Sequence, residues 1–598
     1  MKYIKTLFLS IVLVAGASCT LELQEDPNAV QPNQALANLL LNNIQVSFPG
    51  WFNGVSSFGM QMTRQLNSGG SLYDNVYTPQ SFNGTWSGAY ANVLYDIETL
   101  LKNADANGLA RHAGISRVFK AYILVTLVDY FGDVPYSEAF IGSGNFNPKL
   151  DNSSDVYAVA LAELDKAIDD LTTPSTVQGG RLNPGAPVVQ DLYYNGNFGF
   201  WVRAANSIKL KIHLNTGNTA GINAVIADGR LITDANHNFI FRYGINQADP
   251  DSRHPRFNQN YLGGGGAYMS NWYMWHMFYG YNAQQNGAPG DPRIRFYFYR
   301  QTNVNSSDPN QVRCVVQATP LHYPFSTGTQ VVLNPKAGMP PMGEAPTHPT
   351  RNAASPAWER TFCLPTDRGY WGRDHVDPQG IPPDGFLRTA WGVYPSGGRF
   401  DANVNTGVAQ TQGMRGAGMQ PIMMRSFVQF MLAEAALTLG TTGNARDHYR
   451  NGILFSMNDV RTFSVNGTFG IGAAPPTEAT TINTFYPLAT YEADRDAYLA
   501  SALAAYDDRV AVSAAEAMNY VAREYWIASY CNGVEAYNMY RRTGKPTGMQ
   551  PVINPEPGPF PRSFWYPANA ANLNGSIDQK TNLAGKVFWD KNTTNLDF

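Results

Sequence analysis

Three short segments of the chain carry side chains that could do chemistry. Asp129, Asp133 and Glu138 lie close together in the sequence and could form an acid pair for hydrolysis or a calcium site. His375 has Asp374 and Asp377 beside it, which is a setting for a general base or a metal ligand. A third segment, RRTG at residues 541–544, could bind a phosphate group.

The sequence context favours structural roles for all three segments. Gly132 and Pro135 stop a helix, and carboxylates next to such a stop can accept hydrogen bonds from the freed backbone N–H groups. The chain has no EF-hand, Walker, H-E-x-x-H or triad pattern. We therefore expect no catalytic residue, no metal site and no cofactor. We expect His375 to stabilise a loop by a hydrogen bond and the two arginines to bind helix-end carbonyls and carboxylates.

Cys19 has the clearest chemical role. It follows a positively charged start, an apolar run from Leu7 to Ala15 and three small residues, which together are typical of a bacterial lipoprotein signal. The apolar run is too short to span a bilayer, whereas acyl chains on Cys19, at about 0.8 kcal/mol per buried CH₂, would anchor the protein to a membrane surface. An ordinary secretory signal would explain the run but not the position of the cysteine. We predict a lipoprotein signal peptide over residues 1–18 and a lipidated tether over 19–34.

Two aromatic segments offer binding chemistry, because aromatic rings pack on the apolar faces of sugars while amides and carboxylates bind hydroxyl groups. Residues 271–282 hold closely spaced rings, and residues 67–86 combine rings with polar side chains on a loop rich in Gly, Ser and Asn. The predicted ligand-binding residues are Tyr73, Asp74, Tyr77, Asn83, Trp86, Trp272, Tyr273, Trp275, Tyr279 and Tyr281. Burial in loop packing would account for any single one of these rings equally well.

Composition narrows the class of protein. The chain has 598 residues, enough for a large core, and no run after the signal approaches the length of a membrane span. A net charge of −3 gives no sign of nucleic-acid binding, for which a basic patch is typical. Charged residues make up only 15% of the chain and aromatic residues 13%, so the surface should suit neutral ligands.

The remaining cysteines carry no metal or redox motif. Cys314, Cys363 and Cys531 are dispersed and lack C-x-x-C spacing. In an exported protein Cys314 and Cys363 could form a disulfide, whereas Cys531 falls in a helical pattern and should be a buried thiol.

The elements that must position these residues are mostly helices. Helical periodicity fills residues 35–233 and 421–598, for example over Leu109–Phe131, while residues 234–420 are rich in Gly, Pro, Asn and aromatics. Paired helices with small packing residues suggest stacking like that of tetratricopeptide repeats. We predict a mainly α fold, with a single domain over residues 35–598. Its α-helical scaffold of tetratricopeptide-like pairs would carry a large irregular, loop-rich lobe with small β elements.

Six motifs resemble those of one family and occur in the family's order. They are EDPNAVQPNQALANLLL after Cys19, LVDYFGDVPYSEA at 127–139, NSIKLK at 206–211, AEAAL at 433–437, EAYNMYRRTGKP at 535–546 and FPRSFWYP at 560–567. Over nearly the whole mature chain the sequence resembles the SusD/RagB outer-membrane nutrient-binding lipoproteins of Bacteroidetes.

The resemblance implies a SusD-like fold and a protein that is not an enzyme. It implies a lid that binds an oligosaccharide, caps a SusC-like TonB-dependent outer-membrane barrel and hands the ligand over for import. The partners would be the barrel, the ligand and, through the N-terminal lipid, the membrane, with no nucleic acid among them. The protein would be lipid-anchored at the outer membrane and exposed on the cell surface. Low charge and many aromatics favour a neutral oligosaccharide.

Three alternatives remain open at this point. The first is a lid of the same family that binds a peptide. The second is a surface glycoside hydrolase, which would need two carboxylates roughly 5–10 Å apart in a cleft. The third is a helical-repeat scaffold that binds only protein.

Overall fold

The structure of the chain is a computed structural model. It describes residues 37–70, 72–173, 188–263, 265–281, 290–302, 315–316, 358–359, 370, 372–373, 375–376, 388–469, 477–547, 549, 558–594 and 596. Cys19 and its tether, Asp374, Asp377 and the cysteine pair Cys314 and Cys363 lie outside the described residues. The predictions made for them therefore stay predictions.

The described chain is mostly helical with little β structure, which confirms the predicted mainly α fold. Within the described residues the helices are α1 Ala37–Met62, α2 Tyr73–Val76, α3 Asn83–Ser87, α4 Leu94–Asn107, α5 Ala110–Phe131, α6 Ser153–Thr172, α7 Phe198–Thr216, α8 Thr219–Asp228, α9 Pro255–Tyr261, α10 Asn271–Tyr279, α11 Ile294–Tyr297, α12 Arg425–Leu439, α13 Ala445–Asn466, α14 Ala479–Phe485, α15 Leu488–Val510, α16 Ala514–Ala528, α17 Gly533–Thr543 and α18 Ala568–Leu573. A π-helical turn, Gly88–Val93, joins α3 to α4.

The strands are short and pair antiparallel. Those of the described residues are β1 Phe239–Arg242, β2 Phe298–Tyr299, β3 Val315–Val316, β4 Trp358–Glu359, β5 Ala390–Trp391 and β6 Met419–Met423. β1 pairs with β6, β2 with β5 and β3 with β4. Phe239 is opposite Met423 and Arg242 is opposite Met419. The two ends of the segment that connects β1 to β6 therefore lie side by side.

α1 runs farther than its sequence pattern predicts. The periodicity indicates a helix over Ala35–Ser47, and the structure continues it through Pro49 to Met62. Proline removes one backbone donor from a helix. The turn after it buries the rings of Trp51 and Phe52, and burial of a large apolar side chain contributes about 1.5–3 kcal/mol. The burial of these rings offsets the lost hydrogen bond.

The helix α5 forms the centre of the scaffold. It packs against α4, α6 and α7, and nearly all of its residues are buried. A helix that is buried on all sides must pair every charge that it carries, because an uncompensated charge in the interior is costly. Gly132, at a φ of +78°, then ends α5 and donates its N–H to the carbonyl of Val128 at 2.8 Å.

Asp129, near the end of α5, is the centre of a buried hydrogen-bond network. Its carboxylate accepts hydrogen bonds from the Tyr157 hydroxyl, from the Asn538 amide and, at 2.9 Å, from the Trp589 indole N–H. Its backbone carbonyl accepts from Arg541 at 2.7 Å. The network thereby fixes the C-terminal part of the chain onto α5.

Two buried ion pairs extend this network. Lys211 on α7 donates to Glu535 on α17 at 2.6 Å. Arg542 donates two hydrogen bonds to Glu434 on α12, at 2.6 and 2.7 Å, and one to Asn215 at 2.6 Å. Motifs that are far apart in the sequence, from residues 127–139 to residues 535–546, therefore meet in one buried cluster.

The helices α1 and α17 come into direct backbone contact at a pair of glycines. A Cβ atom added to Gly59 would lie 2.0 Å from the carbonyl oxygen of Gly533, and one added to Gly533 would lie 2.1 Å from the backbone nitrogen of Met60. Ser56 joins the same crossing, since its hydroxyl donates to the Cys531 carbonyl at 3.0 Å and accepts from the Gly533 N–H at 2.8 Å. Only glycine fits at either position.

Replacement of Gly533 by alanine should destabilise the protein, because a methyl group there would push the two backbones apart. Overpacking of this kind costs about 1–3 kcal/mol, which thermal unfolding would report as a lower Tm. Gly54→Ala is the matched control on α1, where an added Cβ has nothing within 4 Å. The control should leave Tm unchanged or raise it slightly. A Gly533→Ala protein with the same Tm as the wild type would contradict the prediction.

Candidate functional site

The clustered carboxylates that could have formed a catalytic pair are bonded to fixed donors. Asp133 accepts from the backbone N–H of Ser153 at 2.8 Å and from its hydroxyl at 2.5 Å, at the start of α6. Glu138 accepts from the Asn145 amide at 3.0 Å and from the backbone N–H of Lys149 at 3.2 Å. Within the described residues no group of three or more His, Cys, Asp or Glu side chains could hold a metal ion.

His375 is buried and lies against an aromatic ring. Its Nε2 is 3.0 Å from the Tyr73 hydroxyl. Burial and, secondarily, the nearby Arg64 guanidinium lower the pKa of His375 well below its usual value, so the imidazole is neutral. A neutral imidazole enclosed in the core has the hydrogen-bonding role that the sequence predicts for it.

The aromatic segment at residues 271–282 forms a helix over most of its length, where the sequence had been interpreted as a binding loop. Ser270 caps α10 by accepting from the backbone N–H of Tyr273, and a turn at Gly280, with a φ of +58°, ends the helix. Trp272 is only 3% exposed and Tyr273 is fully buried. Trp275 and Tyr279 lie on the same helix, and their side chains are outside the described residues.

Two rings of this segment hold the core together. The Tyr273 hydroxyl donates to the carbonyl of Ile527 at 2.8 Å, and its ring packs edge-on against Trp526 at 4.8 Å. The Tyr281 hydroxyl donates to the buried carboxylate of Glu524 at 2.7 Å. Burial alone would raise the pKa of Glu524, but the neighbouring Arg293 and Arg523 hold it below its usual value. These rings present no open face to solvent.

The predicted residues between 73 and 86 divide into a buried and a surface group. Tyr73 and Tyr77 are buried, and Tyr77 donates to the Gln61 side chain at 3.3 Å. Asp74 is exposed, whereas Asn83 and Trp86 are partly exposed. Asn83 also accepts a hydrogen bond from the backbone N–H of Asn569 at 3.0 Å. The structure therefore brings Asn83 and Trp86 to the surface on α3, and it places Tyr73 and Tyr77 behind that surface.

A row of partly exposed rings continues from Trp86. The Trp86 ring lies 4.8 Å from that of Tyr90, and Tyr90 stacks at 6.1 Å on Phe140, in the loop after the helix stop at Gly132. We call Trp86, Tyr90 and Phe140 the aromatic row. Tyr90 lies in the π-helical turn, a rare element that is frequent at functional sites.

The loop that carries Phe140 is held by several hydrogen bonds. The Tyr90 hydroxyl donates to the carbonyl of Pro135 at 2.7 Å. Asp151 accepts from the backbone N–H groups of Tyr136 and Ser137, both at 2.8 Å. Partial burial raises the pKa of Asp151, but these hydrogen bonds lower it overall. The row therefore stands on a fixed backbone.

Sequence reasoning missed Tyr90 and Phe140. Tyr90 falls in a stretch that the periodicity assigns to a regular helix, and Phe140 comes directly after the helix-stop motif. The sequence did offer one indication that Tyr90 lies beside Trp86, because residues four apart are neighbours on one helix face.

Two family models match the chain. Residues 27–313 match a family described as "Starch-binding associating with outer membrane", and residues 404–590 match "Susd and RagB outer membrane lipoprotein". No match is found among curated proteins. Within the described residues, no helix is both long and apolar enough to cross a membrane.

Solved structures share the fold at low sequence identity. A SusD homolog from Bacteroides fragilis is 18% identical with a TM-score of 0.61, covering 93% of this chain and 100% of that one. A SusD/RagB family protein from Bacteroides thetaiotaomicron is 14% identical with a TM-score of 0.61. The match covers 94% of this chain and 100% of that one. A chitin-binding SusD homolog from Flavobacterium johnsoniae is 16% identical with a TM-score of 0.55. The match covers 93% of this chain and 98% of that one.

The two family models lie in the same order as the motifs, and together they cover most of the chain. The mainly helical fold agrees with them. The chain therefore belongs to the SusD/RagB family, whose members are binding proteins of the outer membrane.

Proposed function

We propose that the protein is a cell-surface lipoprotein that binds an oligosaccharide and caps a SusC-like TonB-dependent outer-membrane transporter. In this role it hands the ligand over for import and does no chemistry on it. Family membership supports a nutrient-binding role. Two of the similar solved structures are described as chitin-binding proteins, which supports a saccharide ligand.

The aromatic row is the observation that carries the saccharide proposal. Its rings are partly exposed, stand on a fixed backbone and adjoin polar side chains such as Asn83. A sugar-binding surface needs such ring faces beside groups that bind hydroxyls. In this proposal Asp74, Asn83 and Trp86 contact the ligand, and Trp275 and Tyr279 remain proposed contacts.

The buried members of the predicted set take a supporting role in this proposal. Tyr73 and Tyr77 pack beneath the surface group, and Trp272, Tyr273 and Tyr281 fix the position of α10. Their substitution would alter binding only through the fold.

The lid role requires an anchor that permits movement. The predicted tether covers residues 19–34, and an extended chain of that length spans at most about 58 Å, at about 3.3–3.6 Å per residue. Acyl chains on Cys19 would keep the protein at the membrane while a tether of this length lets it swing over a barrel mouth.

Alanine substitution at two tryptophans should distinguish a ligand contact from a core residue, because one substitution should lower ligand affinity and the other should lower stability. Trp86→Ala should weaken binding of a chitin hexasaccharide by about 2 kcal/mol or more, roughly thirtyfold, with Tm within a few degrees of wild type. Trp272→Ala should instead cost about 3–5 kcal/mol of stability, because it leaves a cavity in the core. Calorimetric titration and thermal unfolding measure the two effects. Unchanged affinity in Trp86→Ala, measured with whichever glycan the wild type binds, would contradict the proposed surface.

Cys19→Ala should release the protein from the membrane without changing its fold, because only the lipid acceptor is lost. Metabolic labelling with a fatty acid and fractionation of the cells would test this. Label on the variant protein would show that Cys19 is not the acceptor. The control is Cys531→Ala, which removes a buried thiol and should leave both lipidation and membrane attachment intact.

The lid role predicts a stable complex with a large barrel. Affinity purification of the wild-type protein from detergent-extracted outer membranes, at native expression, should recover such a barrel in comparable amount. A cap must contact the rim widely in order to hold the ligand inside, so the complex should survive extraction. Recovery of the protein alone, with no barrel in crosslinked samples, would contradict the proposed function.

A further inference from the structure

A groove runs along the outer face of α4, beside the loop that carries Phe140. Its volume is about 730 Å³. The residues that line it are Tyr95, Glu98, Thr99, Lys102, Asn103, Asn107, Phe140, Ile141 and Gly142. The lining residues of α4 recur at intervals of three and four along the sequence, so they occupy one face of the helix.

The groove continues the aromatic row. Phe140 stacks on Tyr90 and also lines the groove. Tyr95 is 52% exposed and Ile141 is 55% exposed, and both line the same groove as Phe140, so these apolar side chains are grouped rather than scattered. The groove therefore offers apolar and π faces directly beyond the row that starts at Trp86.

The face of α4 that carries Tyr95 also carries polar side chains one and two turns farther along the helix. The Thr99 hydroxyl donates to the carbonyl of Tyr95 at 2.9 Å and can still accept a hydrogen bond. The Asn107 amide donates to the backbone carbonyl of Asn103 at 2.8 Å and to its side-chain oxygen at 3.2 Å, so a ligand would meet the amide N–H groups of Asn103 and the amide oxygen of Asn107. Lys102 supplies an exposed ammonium group. Amides both donate and accept hydrogen bonds, so they match hydroxyl groups, which do the same. Such a groove, with aromatic rings and hydrogen-bonding groups along one wall, fits a sugar chain that has apolar ring faces and polar edges.

The lining carries few charged groups. It carries one carboxylate, Glu98, and one ammonium group, Lys102. Glu98 lies 2.7 Å from the buried ammonium of Lys120. Burial alone would lower the pKa of Lys120, but Glu98 and Glu163 raise it above its usual value, so this ion pair persists over the physiological pH range. With Glu98 neutralised by Lys120, the exposed ammonium group of Lys102 is the charge of the lining that a ligand would meet, and a single solvated charge selects a charged ligand only weakly.

We propose that the groove is a binding site for a linear, neutral oligosaccharide and forms one extended site with the aromatic row. This inference rests on the proposed function and assigns the ligand site within it. Tyr95 and Phe140 pack on sugar rings, and Asn103 and Asn107 bind hydroxyl groups. α3, the π-helical turn and α4 form one continuous helix, which rises about 30 Å from Trp86 to Asn107. That length accommodates an oligomer rather than a single sugar.

The test uses the full-length lipidated protein in detergent and a panel of defined probes. The probes are hexasaccharides of chitin, cellulose, xylan, starch and a polyuronate, together with a mixture of short peptides. For the neutral hexasaccharide that binds the wild type best, Tyr95→Ala and Phe140→Ala should each weaken binding at least about tenfold. Asn103→Ala should weaken it about fivefold, since one hydrogen bond contributes about 1 kcal/mol.

Phe485→Ala is the matched control, because Phe485 is 51% exposed and lies outside the groove. It should bind like the wild type, and all four variants should keep the wild-type Tm within a few degrees. A second measurement concerns length: affinity for the disaccharide of the same glycan should be at least tenfold weaker than for the hexasaccharide.

The outcomes distinguish this inference from the proposed function. If a neutral hexasaccharide binds the wild type and the groove variants equally, the groove is not its site, while the proposed function stands. Tighter binding of the polyuronate than of every neutral glycan would overturn the neutral class of ligand. If only peptides bind, or if no probe binds, both the groove inference and the saccharide function are overturned.

Discussion

The need to pair every buried charge governs this fold. α5 is enclosed on all sides, yet it carries Asp129, whose carboxylate is fully buried. Asn538 and Trp589 supply its donors from the C-terminal part of the chain, so α5 can be buried only when that part has folded against it. Removal of one member of such a buried network typically costs 3–5 kcal/mol. The same constraint applies to two further helices. Lys211 on α7 is paired with Glu535, and Glu434 on α12 is paired with Arg542.

The same constraint places the proposed ligand site. Because Asp129 fixes the end of α5, the helix stop at Gly132 has a defined position, and the following loop is bonded to Tyr90 and Asp151. Phe140 therefore stands at a set distance from the π-helical turn. The proposed ligand surface is in this sense an extension of the scaffold, because its backbone is held by hydrogen bonds that involve no ligand.

The sequence predicted the scaffold well and the surface poorly. Helices such as α5 follow from apolar periodicity, and the family follows from short motifs, because both depend on local order in the sequence. Whether a ring is buried depends on partners that are distant in sequence. Tyr273 lies against Trp526, and Tyr281 lies against Glu524, so neither burial could be inferred from the aromatic segment alone. Phe140 was missed for the same reason, since its stacking partner precedes it by 50 residues.

The pairing of β1 with β6 has a consequence for how such proteins diversify. Because the chain leaves and rejoins the scaffold at one antiparallel pair, the intervening segment behaves as an insertion whose two ends are already closed. Closure entropy constrains the length of such a segment only weakly, at about 0.6 kcal/mol for each doubling of a flexible loop, so the stronger constraint is the contact of Tyr273 with Ile527 and of Tyr281 with Glu524. A change of length in this segment should therefore leave the helical scaffold intact only where it spares those contacts.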